Sequence, residues 1–179
     1  MNNTLKKMTM ALVVAGATLL PIQAAVPTAQ SSEERMYKSI RKELLTMPFL
    51  TIFDNLSYRV DGSTVHLYGQ VIRPTLKSDA ERRVARLEGI THVNNQIEVL
   101  PLSPFDDRLR MAVARAVYGQ PAMNRYALGA NPSIRIIVKN GNVTLEGIVN
   151  DIGSRNIANI QANGVSGVFS VTNNLRVER

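Results

Sequence analysis

The chain contains no cysteine in its 179 residues. That excludes disulfides, thiolate metal sites and a cysteine nucleophile, and leaves no cysteine for lipid attachment behind a leader. Such a chain is compatible with an oxidising compartment but requires nothing of it. Histidine is nearly as scarce: His66 and His92 are the only two, and neither has a second histidine at metal-ligand spacing. The sequence has no G-x-S-x-G, no phosphate loop and no H-E-x-x-H. Asp106 and Asp107 are neighbouring carboxylates, but the start of a helix accounts for both. No catalytic residue, metal site or cofactor is expected, and the chain does not read as an enzyme.

After residue 25 no apolar run is long enough to span a bilayer. Before it, Lys6 and Lys7 precede an apolar stretch over residues 8–20, followed by Pro21 and the small residues Ala24 and Ala25. This is the pattern of a bacterial secretory signal over residues 1–25, cleaved near Ala24 or Ala25. The alternative is an uncleaved anchor, for which the run is short against the roughly 20 residues of a span. Export predicts a periplasmic protein.

Without Lys6 and Lys7 the chain holds 19 basic and 14 acidic side chains, a net charge of +5. Residues 33–100 carry 10 basic and 9 acidic groups, whereas residues 101–179 carry 9 and 5, so the excess sits in the later part. A basic surface favours an anionic partner. For an exported protein that means phospholipid or cell-wall polymer rather than nucleic acid; a merely solvated surface is the plain alternative.

What the chain does have is a repeat. Val60, Val65, Leu67, Gly69 and Val71 match Val138, Val143, Leu145, Gly147 and Val149 at a constant offset of 78 residues. Gly89, Val93, Asn95 and Val99 match Gly167, Val171, Asn173 and Val177 at the same offset. Two blocks at one spacing indicate a duplicated unit, over residues 33–100 and 103–179.

Each copy opens with a helical stripe at spacing four: Met36, Ile40 and Leu44, then Leu109, Val113 and Val117. Ser103 is the expected N-cap of the second stripe, with Pro104 at its first position. Ser31 with Glu34, and Ser78 with Glu81, have capping-box spacing. Period-two alternation then predicts strands through Leu56, Tyr58 and Val60 and through Val65, Leu67 and Val71. The same alternation runs through Ile134, Ile136 and Val138 and through Val143, Leu145 and Val149. Asp61 with Gly62, and Asn140 with Gly141, are the expected turns. A second helix carries Leu76, Ala80, Val84 and Leu87, closed by Gly89, and a third strand carries Val93, Ile97 and Val99. The order is α-β-β-α-β, twice: an α+β fold of two tandem two-layer sandwiches. Gly69, Gly89, Gly147 and Gly167 read as structural glycines, in strands or in left-handed turns.

The segments Val65-His66-Leu67-Tyr68-Gly69-Gln70-Val71 and Val143-Thr144-Leu145-Glu146-Gly147-Ile148-Val149, with the endings after Gly89 and Gly167, resemble the BON domain family. The resemblance covers nearly all of the chain after residue 25. A signal followed by two such domains is similar to the osmotically inducible periplasmic proteins of Gram-negative bacteria. It implies a non-enzymatic role in envelope maintenance, often through phospholipid contact. The lipid-attachment cysteine of the outer-membrane lipoprotein relatives is missing, as is a peptidoglycan-binding module after the repeats.

The two copies differ most in their second helices. Where the first has Asp79, Arg82 and Arg86, expected to face solvent, the second has Ile157, Ile160 and Gly164, with Arg155 the only charge nearby. Ala158, Ala162 and Val165 can supply the core stripe. Ile157 and Ile160 are then core, contacts to the first domain, or ligand-facing. The second copy also has five extra residues between first helix and first strand, within a segment over 119–132 that contains Met123, Arg125, Tyr126 and Leu128. Such a loop either carries function or packs over a sheet edge. Arg125, Tyr126, Arg155, Ile157 and Ile160 are the expected contacts to the surface of an anionic phospholipid membrane. The alternative function is a chaperone-like or adaptor protein that binds other envelope proteins through the open sheet face of Arg59, His66, Tyr68, Gln70 and Gln96. The oligomeric state is not legible.

Overall fold

The computed structural model describes residues 29–129 and 131–178, with side chains from Ser32 onward. The expected signal over residues 1–25 lies outside the described residues. The first unit comprises α1 (Ala29–Leu45), β1 (Asn55–Asp61), β2 (Thr64–Val71), α2 (Pro74–Val84) and a third strand in two pieces, β3 (His92–Asn95) and β4 (Glu98–Val99). The second comprises α3 (Pro104–Tyr118), a 3-10 helix (Pro121–Ala127), β5 (Ile134–Lys139), β6 (Asn142–Val149), α4 (Ile152–Asn163) and an unbroken β7 (Ser170–Val177). In each, the middle strand of the sheet is antiparallel to the strand before it and parallel to the one after α2 or α4. The helices cover one face, giving the expected α+β two-layer sandwich.

The stripes read from periodicity form the cores. Ile40, Leu44, Leu76, Ala80 and Val84 close over Val65, Leu67 and Val71. Leu109, Val113, Val117, Ala158 and Ala162 close over Ile134, Ile136, Val143 and Leu145. Each fully buried aliphatic side chain contributes roughly 1.5–3 kcal/mol. This matters because a unit of about 70 residues buries a limited core.

Several local expectations shift. Helix α1 is already under way at Ala29, so Ser31 sits within it rather than capping it. Helix α2 starts at Pro74 behind Arg73, since proline suits the first helical position. Ser78 therefore lies inside α2 and donates its hydroxyl to the Thr75 carbonyl at 3.0 Å. Helix α2 ends at Val84, and Gly89 serves a later turn with φ of 84°. The first hairpin turn is Gly62 with Ser63, because Asp61 still pairs with Thr64. Ser103 caps α3 as expected, accepting from the Asp106 amide at 3.1 Å.

Gly69 and Gly147 are required by the sheet itself. Their φ values are 118° and 128°. A Cβ there would lie 2.0 Å from the Asn55 carbonyl oxygen or 1.9 Å from that of Ser133. The close neighbour is thus the adjoining strand rather than a helix. The repeated asparagines also have a task. Asn95 donates its side-chain amide to the Lys77 carbonyl at 2.9 Å, and Asn173 donates to that of Arg155 at 3.0 Å. Each ties the third strand to the second helix of its unit.

The units are docked. In the segment after α1, the buried Asp54 carboxylate accepts from the Thr51 amide, the Thr51 hydroxyl and the Ile72 amide at 2.7–2.9 Å. The loop held in this way reaches the outer edge of β5. There the Ile136 amide donates to the Ile52 carbonyl at 2.8 Å and Arg135 to the Thr51 carbonyl at 2.9 Å. Ile52 and Phe53 pack against the second core. Lys139 and Glu98 form a 2.5 Å ion pair between the units.

Candidate functional site

The five extra residues of the second unit do not build an exposed loop. They form the 3-10 helix, which buries Met123 and Tyr126 in the core. The Tyr126 hydroxyl accepts from the Asn150 amide and donates to the Ser154 hydroxyl, both at 3.0 Å. The Ser154 hydroxyl in turn donates to the Asp151 carboxylate at 2.8 Å, and the Ser154 amide donates to it at 2.7 Å. Asp151 is the N-cap of α4. The amide and hydroxyl bonds from Ser154 hold its pKa below the ordinary carboxylate value, with a smaller contribution from the nearby charge of Arg125. Tyr126 therefore fixes the start of α4 from inside and is not available to a ligand.

Helix α4 then settles the two isoleucines differently. Ala158 and Ala162 point into the core, and Ile157 packs against it. Ile160 is 64% exposed. Ile152, one residue past the N-cap, is 66% exposed, and its spacing to Ile160 is two helical steps of four. Arg125 and Arg155 are exposed. Between α4 and the free edge of β7 lies a shallow hollow of about 720 Å3, lined by Ile152, Arg155, Asn173, Asn174 and Arg176 among others. Arg125, Arg155 and Arg176 form no ion pair among the described residues. The arrangement offers cationic groups beside apolar side chains, which suits an anionic interface.

Of the expected contacts, the structure thus brings Arg125, Arg155 and Ile160 to the surface and withdraws Tyr126, with Ile157 half-buried. Sequence reasoning missed Ile152 and Arg176. Ile152 was legible from its i, i+8 relation to Ile160, but Arg176 reaches the hollow only through sheet pairing. Leu128, just beyond the 3-10 helix, is 74% exposed. Phe105 and Phe169 are also exposed; their rings are 6.2 Å apart, and Phe169 lies over Gly141 of the hairpin turn.

In the first unit, helix α2 presents no such face among the described residues. At the place of Ile160 it has Arg82, paired with Asp79. Arg83 pairs with Glu43 at 3.0 Å. Asp79, expected in solvent, is half-buried like Ile157 at the same position. On its open sheet face His66 and Tyr68 stack with ring centres 6.4 Å apart. Gln70 there borders the contact with the second unit, beside Leu100 and Ile137, so this face is not wholly free. Among the described residues no group of histidine and carboxylate side chains could hold a metal, and no helix is long and apolar enough to cross a membrane.

The model of the family described as BON domain matches residues 35–101 and 120–179. No curated protein matches the chain. Among solved structures it is similar to CdsD, a structural protein of the type III secretion system of Chlamydia trachomatis. The TM-score is 0.33 and the identity 12%, over 80% of this chain and 92% of that one. The C-terminal domain of CdsD gives a TM-score of 0.28 and 10% identity over 79% and 96%. At these values neither likeness bears on what this chain binds.

Proposed function

The chain belongs to the BON domain family, and on that premise we propose that it is a non-enzymatic periplasmic protein that maintains the cell envelope under osmotic stress by binding anionic phospholipid at the membrane surface. The observation that carries this reading is the outer face of α4: Ile152 and Ile160 stand exposed beside Arg155, with Arg125 and Arg176 near its start. Shallow insertion of apolar side chains gives area-dependent affinity. Each cation near an anionic leaflet adds about 1 kcal/mol. Neither term alone gives both adhesion and selectivity for charge.

Sedimentation with vesicles of neutral and of anionic phospholipid, at low and moderate salt, tests it. The protein should pellet with anionic vesicles only, less so as salt rises. Ile152→Ser with Ile160→Ser, and separately Arg155→Gln, should each weaken pelleting while cooperative unfolding stays intact. Absence of binding to either vesicle would remove the lipid reading. A second reading, an adaptor for exported proteins, draws on the stack of half-buried His66 and exposed Tyr68, with Arg59 and Gln96. Binding to unfolded protein clients, indifferent to lipid charge and lost in Tyr68→Ser, would favour it.

A further inference from the structure

Docking of the two units leaves a cleft between them of about 370 Å3. One wall is the end of α1 and the segment leading into β1, with Arg41, Leu50 and Asp54. The opposite wall is the open face of the second sheet, with Arg135, Ile148 and Arg176. Ile148 and Arg176 are register partners on β6 and β7, so they stand side by side. Neither unit alone contains this site.

Three guanidinium groups converge here, and none forms an ion pair among the described residues. The two carboxylates near them are otherwise engaged. Asp54 accepts from three donors of its own unit. Glu146, the register partner of Arg135, accepts from the Asn174 amide at 2.6 Å. Arg135 spends one donor on the Thr51 carbonyl, leaving others of its fork. Burial pulls its pKa below the ordinary value, against the opposing pull of Tyr118 and Asp54. Asp54 acts on Arg135 through space without an ion pair, so this partly desolvated cation is incompletely compensated and an anionic ligand relieves the remaining cost. Guanidinium forks match phosphate oxygens in pairs. Leu45, Leu50, Leu56 and Ile148 give the cleft an aliphatic portion beside the polar Asn55, Ser57 and Tyr58, and its volume lies at the lower end of the ~300–1,000 Å3 typical of small-ligand sites. That is scant room for two acyl chains.

We infer that this interdomain cleft binds one single-chain anionic phospholipid, a lysophospholipid, with its phosphate on Arg41, Arg135 and Arg176 and its chain against Leu50 and Ile148. This goes beyond adhesion to a bilayer: it gives the second sheet face and the docking of the units a ligand of their own.

Calorimetric titration of the protein with a short-chain lysophosphatidylglycerol, below its micelle concentration, tests the inference. Saturable one-to-one binding is expected. Affinity should fall about tenfold in Arg41→Ser, from the lost charge-assisted contact, and likewise in Ile148→Asn. Both side chains are exposed, so each variant should keep the parent's unfolding midpoint. An alkyl maltoside of the same chain length, and inorganic phosphate alone, should both bind at least tenfold more weakly. Equal affinity for the maltoside, for inorganic phosphate, or in both cleft variants would overturn the inference. Vesicle sedimentation of Arg41→Ser reads the α4 surface separately, because Arg41 is not on it.

Discussion

The connection from first helix to first strand does opposite things in the two units. In the first, the loop organised by Asp54 leaves its own unit and lays Ile52 and Phe53 against the core of the second. In the second, the longer connection folds back and places Met123 and Tyr126 in its own core. Segments equivalent in the repeat thus serve docking in one copy and self-completion in the other. The rest of the difference follows from these roles. The second core gains support from two connections, and its α4 carries isoleucines and no ion pair, whereas α2 is laced with ion pairs. Duplication preserved the skeleton, and the surfaces diverged around it.

The shared skeleton should break alike in both units. Gly69→Ala and Gly147→Ala each force a Cβ into a neighbouring carbonyl at positive φ, at a cost of at least about 3 kcal/mol. Chemical denaturation should show similar losses for both; a harmless change in one copy would mean that the strands are not equivalent.

The turns should break unequally. The buried Asp106 carboxylate accepts the Asn140 and Gly141 amides, each at 2.9 Å. Asp106→Ala strands both and should cost about 2–3 kcal/mol. The first unit holds its turn with an exposed Ser63 to Thr91 contact, and Ser63→Ala should cost under about 0.5 kcal/mol.

Alkaline stability should also separate the copies. Burial raises the Tyr118 pKa from 10.0 to about 12, while nearby Arg135 and the bond to the Ile134 carbonyl pull the other way. The folded state therefore favours the neutral phenol. Its contribution is complete below pH 10 and is lost as pH rises toward 12. Leu45 occupies the matching place in the first unit, where burial raises the pKa of Tyr58 instead, so the contrast is one of degree. The unfolding free energy measured across this window should fall by on the order of 1–2 kcal/mol, and Tyr118→Phe should flatten that part of the profile.

Tyr126→Phe removes the link from Asn150 to Ser154 and should lower stability by about 1–2 kcal/mol. Vesicle pelleting of the folded variant should persist, because the hydroxyl faces inward. Smallest is the contrast within α4: Ile157→Ser should cost about 1 kcal/mol and Ile160→Ser under about 0.5. Equal losses would place both residues in the core and remove Ile160 from the surface.

The sequence by itself determined the two-fold repeat, the element order, the core stripes and the basic bias of the second unit. Those signals are local or periodic: a stripe at spacing four or an alternation at spacing two declares which residues are buried together. Local contests were less legible. Ser31 and Ser78 have capping spacing, but Pro74 sets the start of α2 and leaves Ser78 inside it. Tertiary structure alone decided that Tyr126 turns inward, that Ile152 rather than Ile157 accompanies Ile160 outside, and that Arg41, Arg135 and Arg176 meet. Arg41 and Arg176 lie at opposite ends of the chain. Only the sheet register and the docking loop bring them to one cleft, and neither leaves a period in the sequence.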